Sequence, residues 1–315
     1  MSIINYVRII AFMFIYFAIA TKSEASNDHP LSHKLDLQFR FDDHSDKGYR
    51  NQYRIRYYPS LALSSNNSWS LNGFIVSGDK FSSGNTTLRS DSTDYFYARH
   101  LFLRYAYSGG KWELGVIPTY KGRVSSSGLS KDGWIKGVRS VFSIQQDNEL
   151  EFVAGELSDT DAKHALDTID QVNYAEIEYS ANTSKPHSYE LGFEHIMGDN
   201  FARAEYRWRY LPTHTLFLEI VHSLTHMRSE LVAGLSGQLQ HNETELYYFA
   251  HYSYVSEHFA LRAELSEDFL DYGHGISIEV GARIAHFNNA QWFVRTDIVE
   301  NTSRIMGGIK LRFKK

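Results

Sequence analysis

The chain has 315 residues, of which 43% are hydrophobic, a formal charge of −5 and a mean hydropathy of −0.38. It contains no cysteine, which excludes a disulfide framework and any thiolate metal site, and its acidic balance argues against a nucleic-acid binder. Aromatic residues reach 15%, with 21 Tyr and 20 Phe, and so many rings beside a polar average suit a thin apolar skin rather than a thick apolar core.

At the N-terminus, Arg8 precedes an apolar run from Ile9 to Ala20, and in Ser23-Glu24-Ala25 the two specificity positions hold the small residues Ser23 and Ala25, ahead of a cleavage before Ser26. Charge, length and cleavage site predict a secretory signal peptide over 1–25. The run is short for a span of about 20 residues, so export with cleavage is favoured over anchoring. No composition shift marks a boundary further on, and 26–315 is expected to form one domain. After the leader no run reaches the length of a transmembrane helix, which leaves strands of about 9 to 11 residues as the way to cross a bilayer.

Beyond the leader the chain alternates. Leu35, Leu37, Phe39 and Phe41 interleave with Lys34, Asp36, Gln38 and Arg40, and Tyr53, Ile55 and Tyr57 with Arg54 and Arg56. Trp69, Leu71 and Ile75 follow, with Phe74 breaking the pattern. Next come segments around Leu101 to Tyr107, Trp112 to Val116, Phe142 to Ile144 and Leu150 to Ala154. The second half repeats the pattern around Ala175, Tyr189, Ala202, Leu216, Leu231, Leu246, Leu261, Ile276, Trp292 and Ile305. Period-two alternation is the signature of a strand with two different faces, and about seventeen segments show it.

A soluble sandwich would hide the apolar faces in a core, whereas a membrane barrel would turn them to lipid and line its lumen with the polar ones. The export signal, the Tyr and Trp near strand ends and the lack of a linker favour the barrel. We expect an all-β fold, a transmembrane antiparallel up-and-down barrel of about sixteen strands, with fourteen and eighteen as alternatives, because such barrels normally have an even number. The odd count places the suspected error between Trp112 and Tyr179. Reading forward from the N-terminus puts the polar stretches at Lys121 to Trp134 and Ser158 to Asp170 outside the cell; reading back from the C-terminus puts them in the periplasm.

This exported, cysteine-free, alternating chain, whose last strand carries Phe313, resembles a Gram-negative outer-membrane porin. Lys314 and Lys315 follow the terminal aromatic, a departure from the usual porin ending. The succession Leu101 to Tyr105, Trp112 to Gly115 and Gly133 to Arg139 is similar to alginate-export-type oligosaccharide porins over about forty residues. The resemblance implies outer-membrane lipid, the barrel-assembly machinery and a small hydrophilic solute as partners, no cofactor and no nucleic acid, and it leaves the oligomeric state open.

If the polar faces line a lumen, closure brings the ends of the chain together. Arg40, Arg54, Arg56 and Arg104 then join Arg283, Arg295, Lys310 and Arg312 in one basic wall. Glu113, Glu151, Glu176, Glu178, Glu190 and Glu194 form an acidic wall, bordered by a basic rib of Arg203, Arg207 and Arg209. Opposed walls would orient polar solutes and filter by charge; the bland alternative is that these charges pair across strands. In the loop from Lys121 to Trp134, Lys121, Arg123 and Lys131 are candidates for narrowing the pore, and Trp134 for stacking on a saccharide.

Other chemistry is weaker. His251 and Ser253 share a strand face, as a barrel esterase would require, but it is the lumen face and no third group is in sight. His222 and His226 lie about 13 Å apart on a strand, too far to share a metal ion. The expected function is passive diffusion of small hydrophilic solutes, anionic oligosaccharides among them. An outer-membrane hydrolase and a non-conducting structural or adhesive barrel are the alternatives.

Overall fold

Strands whose two faces differ this sharply need a different medium on each side, and the chain meets that need by rolling one sheet into a tube. The computed structural model describes residues 30–88, 96–119, 128–157, 159–182, 184–241, 244–259, 261–266 and 269–314. The predicted leader lies outside them. The strands are β1 (Leu31–His44), β2 (Gly48–Ala62), β3 (Trp69–Ser77), β4 (Thr86–Thr87), β5 (Phe96–Tyr107), β6 (Gly110–Pro118), β7 (Trp134–Gln145), β8 (Asn148–Glu156) and β9 (Tyr174–Ala181). Then follow β10 (His187–Ile196), β11 (Asp199–Leu211), β12 (His214–Ser223), β13 (Arg228–His241), β14 (Thr244–Val255), β15 (Gly273–Ile284), β16 (Phe287–Val299) and β17 (Thr302–Lys314).

All but β4 are barrel staves. β4 pairs only with Gln52 and Tyr53 of β2, along the part of β2 that β3 is too short to reach. The remaining sixteen form a closed antiparallel barrel, each stave paired with the next. Closure is made by β1 and β17, in register from Lys34 opposite Lys314 to His44 opposite Arg304. No stave is left with an open edge. The exception at Phe74 is a register shift between β3 and β5 that turns the ring inward, where it stacks 4.7 Å from both Tyr58 and His100.

The surplus candidate strand is Leu261 to Leu265, not one between Trp112 and Tyr179. Leu261–Glu264 is a four-residue helix, and Arg262, Ala263 and Leu265 are all buried. Five residues are too few to tell alternation from one helical turn. With this segment removed the sidedness agrees throughout. The first stave begins and the last stave ends at one end of the barrel, the terminal end, where the longest connection is 63–68. The long connections 78–95, 119–133, 157–173 and 256–272 all leave from the other, the loop end. This is the arrangement obtained by reading forward from the N-terminus.

The apolar faces point outward. On β6 Leu114 is 60% exposed while Glu113 beside it is 2% exposed. Aromatic pairs ring the terminal end, with Trp69 4.6 Å from Tyr105 and His187 stacked 5.9 Å from Trp208. At the loop end Tyr254 lies 4.7 Å from His274, whose Nδ1 is 2.6 Å from the Tyr252 hydroxyl. Amphipathic rings at both rims of an apolar band match the two interfaces of a bilayer. Among the described residues no helix is long and apolar enough to cross one.

The outward orientation makes Leu114→Arg, in the middle of β6, costly. It should lower barrel stability by about 2–4 kcal/mol, read as the shift in the urea midpoint of folding into lipid vesicles.

Candidate functional site

The lumen is divided rather than uniformly wet. At the loop end, strand residues facing inward are apolar: Phe102, Ile117, Val153, Ile196, Phe201, Val221 and Val255. The long connections fold in to cover them, bringing Phe81, Leu157, Ala162, Phe259, Ala263 and Leu265 into one buried cluster with Trp134. Trp134 is 1% exposed, packs 4.8 Å from Phe81 and lies under the Arg99 guanidinium at 5.6 Å. It therefore cannot stack on a saccharide, as the sequence had led us to expect; it is an anchor for the inward-folded connections.

Arg99 and Asp132 hold those connections in place. Arg99 donates to the carbonyls of Gly78, Lys80 and Asp132 at 2.7, 2.8 and 3.1 Å. Asp132 accepts from Arg56 at 2.7 Å and from the Gly84 amide at 2.9 Å. Ser130 reaches the segment on the other side, its amide donating to the Leu265 carbonyl at 2.9 Å. The described part of the 119–133 connection thus folds into the barrel. Lys131 lines the remaining cavity. Lys121 and Arg123 lie outside the described residues.

Below the apolar cluster, on the side of β6 to β13, the acidic wall has closed around arginines. Arg203 contacts Glu178 and Glu190 directly, with Glu219 at 3.4 Å, Glu194 at 3.6 Å and Glu205 at 3.8 Å. Arg262, on the inward helix, grips Glu194 at 2.6 and 3.1 Å and lies 3.8 Å from Glu230. Arg139 joins Glu113 at 2.7 Å to Glu151 at 2.9 Å, and Arg104 adds a contact to Glu113 at 2.8 Å. Glu176 accepts from the Tyr174 hydroxyl at 2.6 Å. Arg207 pairs with Glu205.

These residues face the interior, but Glu113, Glu151, Glu176, Glu178, Glu190, Glu194 and Arg203 are packed against partners instead of lining open water. Arg56, buried against Asp132, differs from expectation in the same way. Charges at such close quarters repay their desolvation only by pairing, which is why the acidic wall is a structural layer.

The open space lies on the other side, at the closure. A cavity of about 690 Å³ is lined by strands β1, β2 and β14 to β17 and by the inward connections. The expected basic residues Arg40, Arg54, Arg295 and Lys310 face it, with Lys131. Arg40 donates to Gln52 at 2.8 Å, Arg295 to Asp297 at 2.8 Å, and Lys310 to Glu279 at 2.9 Å. Arg209, Arg283 and Arg312 sit exposed on the lumen faces at the terminal end of their strands.

Lys47, Arg50, Lys80 and Arg304 also line the cavity and were missed. Arg50 and Arg304 continue the lumen faces of β2 and β17 and were within reach of the period-two pattern. Lys47 and Lys80 sit in connections, where no period applies. Lys47 is held below the usual lysine range by burial first, then by Arg50, Lys80 and Arg304 nearby.

Other chemistry finds little support. His251 faces the interior and packs edge-on against Phe249 at 5.0 Å, so it and Ser253 lie on the side away from lipid. His222 lies 2.9 Å from the Ser229 hydroxyl, and His226 is 3.0 Å from Asp199. Among the described residues no group of three or more His, Asp or Glu side chains is placed to hold a metal ion.

Arg203→Gln removes the centre of the acidic layer and leaves five carboxylates facing each other. It should destabilise the barrel by about 3–5 kcal/mol, measured by urea unfolding followed through tryptophan fluorescence.

No protein-family model matches the chain and no curated protein matches it, so the narrower likeness to alginate-export-type porins finds no counterpart there. Solved structures do match. A triple mutant of the Rhodopseudomonas blastica porin superposes with a TM-score of 0.60 at 10% identity, over 90% of this chain and 100% of that one. The high-pH structure of Pseudomonas putida OprB gives 0.60 at 10% identity, over 90% and 94%. Its low-pH structure gives 0.57 at 8% identity, over 90% and 92%. At this identity the likeness is one of architecture: the closed sixteen-stranded antiparallel barrel of this chain is the porin fold.

Proposed function

We propose that the protein is an outer-membrane porin that passes small hydrophilic solutes by diffusion and prefers anions, anionic oligosaccharides among them. The observation that carries this reading is the charge around the cavity. Nine lysines and arginines face it against four carboxylates, those of Asp42, Asp79, Glu264 and Glu279. In a confined space with low-dielectric walls such an excess raises the local anion concentration and excludes cations. Outer-membrane barrels keep their short turns in the periplasm and their longer loops outside. On that basis the loop end, with the basic cavity below it, faces the medium, and the N-terminal segment serves export. The architecture itself speaks for a channel rather than an enzyme.

A second reading has one observation in its favour. The apolar cluster and the Arg203 layer fill one side of the lumen, as they would in a plugged, non-conducting barrel. Purified protein in a planar bilayer separates the two. Stepwise conductance is expected, with a reversal potential that favours chloride over potassium; a silent barrel would overturn the porin reading. The combined variant Arg40→Gln, Arg54→Gln and Lys131→Gln should move the permeability ratio severalfold towards unity while leaving the conductance steps in place. An unchanged ratio would remove the basic wall from the account.

A further inference from the structure

The cavity is not uniformly charged. One side is the cationic wall of β1 and β2, with Arg40, Arg50 and Arg54. Phe249 of β14, Phe269 and Leu270 of the inward segment, and Phe293 and Met306 at the seam give the same space an apolar side. Apolar side chains facing the lumen of a membrane barrel need a reason, because the alternation of the strands reserves that face for polar groups.

For two inward rings the reason is local. A β-carbon added at Gly234 would come 2.5 Å from the Phe217 ring, and one at Gly281 would come 2.3 Å from the Tyr247 hydroxyl. These rings cover bare backbone on the neighbouring strand, a known way to complete a sheet surface. Phe293 is 2% exposed beneath Lys310, whose Nζ lies 4.1 Å from the ring centre. Phe249 is different. Its partners across the strands are Ser236 and Glu279, and no described glycine has it among its nearest atoms. Phe217 backs it, stacked at 5.5 Å and nearly parallel at 7°. The ring remains half-buried and lines the cavity. It is a flat apolar surface, held rigid from behind and presented to the solute path.

We infer that the cavity is a binding site for carboxylates that carry a flat or apolar ring, with Phe249 and Leu270 of the same lining taking the ring and the cations of β1 and β2 taking the carboxylate. A volume of about 690 Å³ suits one such molecule. Charge alone would treat all monovalent carboxylates alike; the aromatic wall separates them by what they carry behind the charge. The inference rests on the anion-preferring channel proposed above and adds a selectivity that channel need not have.

Benzoate and acetate, equal in charge, serve as probes. With the full-length protein in a planar bilayer, benzoate should reduce the chloride current with a half-saturating concentration about tenfold below that of acetate. Phe249→Ala should abolish that difference while the chloride-over-potassium preference stays as it was. If Phe249→Ala does not assemble, Phe249→Leu takes its place, and the difference should fall by at least half. Equal half-saturation in the unsubstituted protein, or a difference that survives both variants, overturns the inference and leaves the anion channel standing. A channel with no anion preference overturns the reading beneath it instead.

Discussion

The lipid phase offers no hydrogen-bond partner, and the structure follows from that constraint. An open sheet in lipid leaves a row of unpaired backbone groups at each edge, and only closure removes both rows. The seam between β1 and β17 supplies it, pairing the chain from Lys34 opposite Lys314 to His44 opposite Arg304. Once the tube is closed, every stave has one face in lipid and one in the interior, and the alternation of the sequence is the record of that division. Leu114 and Glu113, adjacent on β6, show the two environments one residue apart.

The interior then has to accommodate a large number of charges in little water. It does so unevenly. On the side of β6 to β13 the carboxylates draw in around Arg203, Arg262 and Arg139, and the excess of acid becomes a bonded layer. Arg262 belongs to an inward connection and not to the wall, so this layer also ties the loop-end cluster to the barrel. On the seam side the balance reverses, and the cations outnumber the acids around open space. One side of the lumen is packed and the other is left open.

Much of this was legible in the residues. The staves and their facing followed from period two, because lipid and interior impose opposite demands on successive side chains. The grouping of Arg40 and Arg54 with Arg295 and Lys310 followed from closure alone. Three things were not legible. Leu261 to Leu265 alternates by accident, since the segment packs on several sides at once and its charge, Arg262, is buried against Glu194. Trp134 looked available because it ends a polar loop, but it begins β7 and lies under Arg99. The packing of the acidic wall depended on which arginine each glutamate could reach, a property of three-dimensional register. One hint was present: on β11 the inward face runs from Phe201 to Arg203 and Glu205, so it turns apolar towards the loop end, where the inward connections meet it.

The position of the cavity at the seam bears on assembly. Its walls are drawn from the first and last staves, the residues furthest apart along the chain and the latest that a sequentially added sheet could bring together. Arg40 and Arg54, neighbours on the first hairpin, do not share a space with Lys310 until the last stave has found the first. The same event that seals the backbone against lipid therefore completes the cavity, so that a barrel still being built lacks this space.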